Sequence, residues 1–365
     1  MRIASLFARR RWLLLVALLV AAAAYLAIGR APIVDCAAVG GARPICGLHN
    51  PEDLALLSDE RTVIVSQYGL AAEPAPGSLA LLDLETEAIV VAYPPPGPEP
   101  EATEPREGWG DPRCPGPPGR AFSPHGIDLA PRADGALQLL VVNHGGREAI
   151  EFFEVLGAAG GWSVAWRGCA VAPEDAFFND VVGLPAGELL VTHMMSRAGA
   201  GWEATRAKFG ADTGFVYAWD VERGFRAIAG TQGPLPNGIE ASPAGDTFFV
   251  NVYAGGELRH YDRGGELLGR VDVAGPDNVS WSRDGRLLVA SQRGGLLDMM
   301  ECLRLREGAC AMEYAIVAID PKDWSRAVLY ENEGPPMGGA TIAIDVGDGL
   351  LIGSFASDRV VRVRR

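Results

Sequence analysis

Residues Pro236–Tyr253 read PNGIEASPAGDTFFVNVY, and this stretch decides the fold. A polar residue stands shortly before the apolar Ile239, the turn sequence SPAGD comes next, and a short run of aromatic and β-branched residues follows. Turn residues between two short apolar runs are a strong hairpin signal. The stretch therefore predicts two short antiparallel strands joined by a tight turn.

The same unit occurs six times along the chain, with insertions between some copies. Aligned on the apolar residue that follows the polar ones, the copies place six residues in register: Leu54, Ile127, Val181, Ile239, Val279 and Ile342. Their spacings are 73, 54, 58, 40 and 63 residues. Repeats of roughly 40–50 residues built from short strands are typical of propeller blades. The sequence thus predicts an all-β, six-bladed β-propeller in which the first strand of each blade lines the central channel.

The composition agrees with this fold and excludes other classes of protein. Gly and Pro contribute 46 and 26 of the 365 residues, which suits a chain of many turns. Hydrophobic residues make up 48% and charged residues 21%, which excludes a disordered chain. Asp and Glu number 46 against 32 Lys and Arg, a net charge of −14, so a general nucleic-acid binder, which needs a basic face, is excluded as well.

The N-terminus carries a membrane-targeting pattern. Three arginines at positions 9–11 precede an apolar run of 17 residues, Trp12–Ile28. We expect residues 1–35 to be a hydrophobic helix retained as a membrane anchor, with the propeller, residues 36–365, outside the cytoplasm in the periplasm or extracellular space. A cleaved signal peptide, which would give a secreted protein, and a buried soluble helix are the alternatives.

Six cysteines agree with export to an oxidising compartment. None forms a CxxC pair, so a zinc or redox site is not indicated. The short separations suggest that Cys36 pairs with Cys46 and Cys302 with Cys310, which leaves Cys114 and Cys169 to each other by elimination. Unpaired buried thiols are the alternative.

Polar residues cluster just before the aligned apolar positions, at one end of the predicted channel. They are Glu52, Asp53, His125, Asn179, Asp180, Asn237, Asp277 and Asn278. Oxygen ligands from several directions are what calcium prefers, whereas the set lacks the thiolates or several histidines of a zinc site. Asp and Asn that merely cap turns are the alternative, but carboxylates buried together without a cation would repel one another and protonate. The pattern therefore favours a calcium site.

Several segments resemble the paraoxonase/arylesterase family, in order and at similar separations from about Cys46 to the C-terminus. They are PEDLALL, FSPHGIDLA, LLVVNHGGREAIEFFEV, NDVVGL, PNGIEASPAGDTFFVNVY, DNVSWSRDG and LLIGS. The pair FSPHGI and LLVVNH is the most specific. More distantly, the chain resembles gluconolactonase and luciferin-regenerating enzymes, which are also six-bladed calcium propellers. The resemblance implies a calcium-dependent hydrolase of small-molecule lactones or aryl esters.

The resemblance also implies roles for individual residues. A deeper structural calcium ion would bind Asp53, Asp180 and the backbone carbonyl of Ile127. An exposed catalytic calcium ion would bind Glu52, Asn179, Asn237, Asp277 and Asn278. A histidine dyad would consist of His125, the general base that activates water, and His144, which assists it, while calcium polarises the substrate carbonyl.

The chain departs from that family at several places. Gln292 stands where the family has a further histidine, and Met194 and Met195 replace a His and an Asp, so substrate preference does not carry over. The family joins its first and last strands by a disulfide, but the C-terminus here has no cysteine. We therefore expect strand pairing alone to close the ring. The Pro-, Glu- and Gly-rich stretch 94–120 replaces a shorter segment and is a surface loop that is a candidate to lie over the active-site face.

Two other functions fit the same fold. A strictosidine-synthase-like propeller condenses an amine with an aldehyde but lacks the full calcium ligand set. A non-catalytic propeller would act as a binding or scaffold protein, which the presence of both His125 and His144 disfavours. No GxSxG motif is present, so a serine nucleophile is not expected. Asn278 begins an N-glycosylation motif, NVS, but we interpret it as a metal ligand.

Overall fold

Six four-stranded antiparallel sheets, formed by 24 strands, make up most of the described part of the chain. The computed structural model describes residues 31–69, 76–97, 105–158, 160–185 and 187–364, together with Trp12, Val16 and Ala17. The predicted six-bladed propeller is confirmed. The predicted hydrophobic helix at Trp12–Ile28 lies almost entirely outside the described residues, as does the choice between anchor and signal peptide. No helix within the described ranges is long and apolar enough to cross a membrane.

Each blade runs in sequence order from the channel to the rim, except that the first strand of the chain joins the last blade. The strands of the first half are β1 (Ala42–Cys46), β2 (Pro51–Leu56), β3 (Thr62–Gln67), β4 (Ser78–Asp83), β5 (Ile89–Tyr93), β6 (Pro124–Pro131), β7 (Leu137–Asn143), β8 (Ala149–Ala158), β9 (Gly161–Val171), β10 (Ala176–Gly183), β11 (Leu189–Ser196), β12 (Phe215–Asp220) and β13 (Gly224–Ala227). Those of the second half are β14 (Pro236–Ala241), β15 (Thr247–Val252), β16 (Glu257–Asp262), β17 (Leu267–Asp272), β18 (Pro276–Trp281), β19 (Leu287–Gln292), β20 (Tyr314–Ile319), β21 (Arg326–Asn332), β22 (Ala340–Asp345), β23 (Gly349–Ser354) and β24 (Arg359–Arg364). Blades 1 to 6 begin at β2, β6, β10, β14, β18 and β22.

The ring closes by strand pairing, as the lack of a C-terminal cysteine predicts. Strand β1 pairs antiparallel with β24, the last strand of the chain, and completes blade 6. The fully buried side chain of Arg359, in β24, donates hydrogen bonds to the carbonyl oxygens of Ile33 at 2.9 Å and Asp35 at 2.5 Å. These bonds satisfy the buried guanidinium and fasten the segment before β1 to the last blade.

The six aligned apolar residues all lie on the innermost strands. Each pairs with the second strand of its blade, and in all six blades the register of that pairing shifts within the residues just before the aligned position. Such a bulge turns the preceding side chains away from the regular alternation and is common beside functional sites. The bulges therefore decide where the polar residues of the channel point.

All three predicted disulfides are present. Cys36 is bonded to Cys46, Cys114 to Cys169, and Cys302 to Cys310. The second bond ties the 94–120 loop to β9, the outer strand of blade 2. No free cysteine is found among the described residues.

The described part of the 94–120 loop lies against blade 2. The Trp109 ring is buried, with the Arg132 guanidinium 4.2 Å from the ring centroid, and the Asp111 amide donates to the Cys169 carbonyl at 2.8 Å. A short 3-10 helix, Gly119–Ala121, ends the loop next to the β7–β8 turn. Two α-helices are described, α1 (Ala200–Ala207) after β11 and α2 (Leu296–Leu303) after β19.

Candidate functional site

The innermost strands carry polar residues at both ends of the channel. The site end is formed by residues at the beginning of these strands: Glu52, His125, Asn179, Asn237, Asp277 and Asn278. The cavity end, farther along the same strands, surrounds a cavity of about 510 Å³ that is lined by acidic and apolar residues, among them Leu56, Asp128, Glu240, Trp281 and Asp345. Asp53 and Asp180 lie at the boundary between the two: both line the cavity, and each directly follows a residue of the site end, Glu52 or Asn179.

Asp53 and Asp180 join neighbouring blades at the boundary. Asp53 Oδ2 accepts a hydrogen bond from the amide of Ile127 at 2.7 Å, and Asp180 Oδ2 accepts one from the amide of Ile239 at 2.9 Å. Burial raises the pKa of both carboxyls well above the usual value, and the Glu52 charge raises that of Asp53 further. A carboxylate pair this deep is costly unless a positive charge compensates it.

Several oxygens of the site end are buried and unpaired. Glu52, Asn179, Asn237 and Asn278 are each at most 5% exposed. In each of them one side-chain oxygen, Oε2 of Glu52 and Oδ1 of the three asparagines, has no hydrogen-bond partner. Buried polar atoms are rarely left unpaired, and an absent ion is one of the ordinary reasons.

Asp277 completes this group. Burial and, next, the Glu52 charge raise its pKa well above the usual value. Its Oδ2 accepts a hydrogen bond from Gln292 Nε2, and Gln292 Oε1 in turn accepts one from the Tyr253 hydroxyl at 2.9 Å. Gln292, at the position where the resemblance implies a histidine, therefore orients a candidate ligand.

This donor set fits a hard cation. All the unpaired atoms are oxygens, and carboxylate and amide oxygens are the ligands that calcium takes. Within the described ranges no three Asp, Glu, His or Cys side chains are grouped closely enough to hold an ion by themselves. At the site end the amides of Asn179, Asn237 and Asn278 supply further oxygens.

The two histidines of the predicted dyad are in direct contact. His125 Nδ1 and His144 Nε2 are 2.8 Å apart, and His125 Nε2 lies 3.5 Å from Glu52 Oε1. Burial, the largest single influence, lowers the pKa of His125, but the charge and contact of Glu52, together with the charges of Asp277 and Asp53, outweigh it and the pKa is raised. A bound cation would oppose that rise, because it would neutralise Glu52. Burial lowers the pKa of His144.

Three side chains that the sequence did not single out complete the surroundings of the dyad. The Tyr68 ring stacks on His125 with centroids 4.9 Å apart. Glu148 accepts a hydrogen bond from His144 Nδ1 at 2.9 Å, and Arg197 Nη2 lies 2.6 Å from Glu148 Oε2. Only the contact between His144 and Glu148 had a signal in the sequence. They are the first and last residues of HGGRE, and the ends of a five-residue hairpin loop face each other.

Other residues from the sequence analysis lie outside this chemistry. Met195 packs with Ala207 and Leu235 in an apolar cluster beneath α1, and Met194 lies at the edge of that cluster. His193 Nδ1 accepts a hydrogen bond from the amide of Phe177 at 3.3 Å, which agrees with a structural role. Asn278 is 1% exposed, so the glycosylation motif it begins is inaccessible in the folded protein.

Comparison with known proteins finds a similar fold among solved structures. No protein-family model and no curated protein matches the sequence. Among solved structures, the chain is similar to a gluconolactonase from Xanthomonas campestris, with 16% identity, a TM-score of 0.50, and coverage of 92% of this chain and 95% of that one. It is also similar to a luciferin-regenerating enzyme, with 14% identity, a TM-score of 0.52, and coverage of 92% and 96%. At these identities the likeness defines a propeller of this architecture and nothing finer.

Proposed function

We propose that the chain is a calcium-dependent hydrolase of lactones or aryl esters in which His125 is the general base. One observation carries the proposal: a partly buried histidine adjoins a group of unpaired buried oxygens. His125 Nε2 lies 3.5 Å from Glu52 Oε1, and Asn179, Asn237 and Asn278 each add an oxygen without a partner. A base next to a cation site is an arrangement that can catalyse ester hydrolysis by water.

One of the similar structures is that of a gluconolactonase, which agrees with a lactone as substrate. We assign the metal ligands as the sequence resemblance implies. Asp53, Asp180 and the Ile127 carbonyl would hold a deeper calcium ion, and the five side chains of the site end would hold an exposed one: Glu52, Asn179, Asn237, Asp277 and Asn278. When bound, calcium supplies a positive charge that polarises the substrate carbonyl and stabilises its developing oxyanion.

The remaining chemistry belongs to the histidines. His125 Nε2 takes a proton from a water molecule as the water oxygen forms a bond to the carbonyl carbon. When the bond between that carbon and the leaving oxygen breaks, the same nitrogen returns the proton to the leaving oxygen. The products are a carboxylic acid and an alcohol, joined in one hydroxy acid when the substrate is a lactone. His144, 2.8 Å from His125 Nδ1, holds the ring in the orientation this transfer needs.

The test is a rate survey with the full-length protein. Hydrolysis of lactones, aryl esters and phosphotriesters is measured with calcium and with excess chelator. We expect lactones or aryl esters to be hydrolysed only with calcium, and His125→Gln to lose about 10²–10⁴-fold in rate. His260→Gln is the matched control, since His260 lies on the third strand of blade 4, stacked on Phe249. Undiminished hydrolysis in excess chelator would refute the proposal. Absence of hydrolysis with every lactone and ester tested would also refute it, and would favour a non-catalytic binding propeller.

We further propose that residues 1–35 anchor the propeller outside the cytoplasm. The three disulfides support an oxidising compartment. The expressed protein should sediment with membranes, resist extraction by salt and keep its original N-terminus. A soluble product that begins after Ala24 would instead identify a cleaved signal peptide.

A further inference from the structure

A five-residue loop joins the second and third strands of blade 2. It reads HGGRE, residues 144–148, and the flanking residues Asn143 and Ala149 are paired across the hairpin. The loop packs tightly on the end of the 94–120 loop: a side chain at Gly145 would place its Cβ 1.6 Å from the Ala121 carbonyl oxygen. Gly146 has a φ of +73°, a conformation that favours glycine. These constraints bring the first and last side chains of the loop together.

The Glu148 carboxylate is buried and accepts hydrogen bonds on both oxygens. His144 Nδ1 lies 2.9 Å from Oε2 and 3.1 Å from Oε1. The amide of Phe178, from blade 3, donates to Oε1 at 2.7 Å, and Arg197 Nη2 donates to Oε2 at 2.6 Å. Two of these partners can only donate, and one is a permanent cation. The carboxylate is therefore an acceptor with a fixed position, held from two blades.

We propose that Glu148 is a positioning residue that sets the direction of the hydrogen-bond chain through both histidines, a role that presupposes the hydrolase function proposed above. Because Glu148 accepts, His144 must carry its proton on Nδ1, and its Nε2 must accept. His125 must then donate from Nδ1, the nitrogen 2.8 Å from His144 Nε2. The Nε2 of His125, which faces Glu52 and the site end, is left as the free base.

The same contact stabilises the charge that forms when His125 takes up a proton. The imidazolium then donates from Nδ1 to His144, which donates to the carboxylate, so a negative charge lies at the end of the chain. An acid that orients a catalytic histidine in this way acts through tautomer and charge without itself taking the proton. Here the acid acts through a second imidazole. His193, nearby on β11, does not compete, because its Nδ1 accepts from the Phe177 amide.

Replacing Glu148 by Gln tests the direction of the chain. The Gln amide can donate to His144 Nδ1, which would move the His144 proton to Nε2, make His125 Nδ1 an acceptor and place a proton on the catalytic Nε2. We expect kcat to fall about 100-fold, with KM and calcium affinity within about threefold of the wild type. Glu148→Asp, which keeps the charge, should recover at least part of the rate. Glu154→Gln is the matched control: Glu154 pairs with Arg106 and Arg167, as Glu148 pairs with Arg197, but it lies on β8, the third strand of blade 2.

The decisive measurement is independent of activity. The chain has five histidines, so ¹⁵N-histidine labelling of the full-length protein gives few signals, which His→Gln variants assign. In the neutral state we expect His144 and His125 both to be protonated on Nδ1, and both to change to Nε2 in Glu148→Gln. A wild-type His144 protonated on Nε2 overturns this role even if Glu148→Gln fails to fold. Full kcat in a folded Glu148→Gln, in a protein whose hydrolase activity is established, overturns it too. Absence of any hydrolysis in the wild type counts against the proposed function. The histidine tautomers would still show the direction of the hydrogen bonds from Glu148 through His144 to His125.

Discussion

The site end and the cavity end of the channel both carry acidic side chains on the same innermost strands, but the two ends differ in whether the buried oxygens have hydrogen-bond partners. At the cavity end, Asp128 Oδ2 accepts from the Gly183 amide at 2.8 Å and Glu240 Oε1 from the Ala241 amide at 2.9 Å. Neither has a fully buried oxygen without a partner. At the site end such oxygens occur on Glu52 and three asparagines. Clustered acids alone therefore do not indicate a cation; several unpaired buried oxygens that converge from neighbouring strands do.

Removal of calcium should have the largest effect. A ligand present at about 100–1,000 times its Kd stabilises the folded state by about 2.7–4.1 kcal/mol. Each kcal/mol of stability corresponds to about 2–4 °C in Tm, so chelation should lower Tm by about 5–15 °C. Thermal melting with and without chelator measures this, and added calcium should restore Tm. An unchanged melting curve in excess chelator would remove the distinction between the two ends of the channel.

Asn237→Ala should have the next largest effect, since it removes one unpaired oxygen of the site end. Loss of an outer partner of a metal ligand typically costs 10–100-fold in affinity, so loss of a ligand should weaken calcium binding at least about tenfold. The rate at limiting calcium should fall with it, and high calcium should recover part of it. His125→Gln should instead lose the rate with normal calcium affinity, as isothermal titration would show. If both variants lose calcium equally, the base and the cation site are not separable.

Gln292→Leu should have a smaller effect, because Gln292 acts on the candidate ligand Asp277 through a hydrogen bond. We expect about a tenfold loss of calcium affinity. Tyr253→Phe, which removes only the hydroxyl that donates to Gln292, should lose less. Calcium titration of the three proteins gives the order. A Gln292→Leu variant with wild-type affinity would show that Asp277 needs no outer partner.

Much of the fold follows from the sequence because each blade repeats one local pattern. The six aligned apolar residues, Leu54 to Ile342, fall on the six innermost strands, and the three disulfides pair as the cysteine spacings suggest. The register shifts before each aligned residue were not predictable, because a bulge depends on the partner strand as well as on its own sequence. The pairing of β1 with β24 joins residues more than 300 positions apart, and ARPIC alone carries no sign of it.

The site was predictable where it repeats and not where it depends on loops. The pairs Asn179–Asp180 and Asp277–Asn278 recur at equivalent positions, so their convergence follows from the propeller. Glu148 and Arg197 lie on loops of different blades, and their contact depends on how those blades pack. Tyr68 likewise follows the end of a second strand, with no local signal that its ring will cover His125.

The smallest effect should come from Glu240→Gln, three residues after Asn237 on the same strand. Burial, and next the charge of Asp128, raise the pKa of Glu240 well above the usual value. An acid with a raised folded-state pKa destabilises the fold as the pH rises, because the unfolded chain gives up its proton first. The Gln variant escapes that cost. At pH 8 the variant should therefore be at least as stable as the wild type, with a gain in the free energy of unfolding on the order of 1 kcal/mol. The corresponding rise in Tm should fade toward pH 4. Calcium affinity should stay unchanged; a loss comparable to that of Asn237→Ala would show that the cavity end is part of the cation site after all.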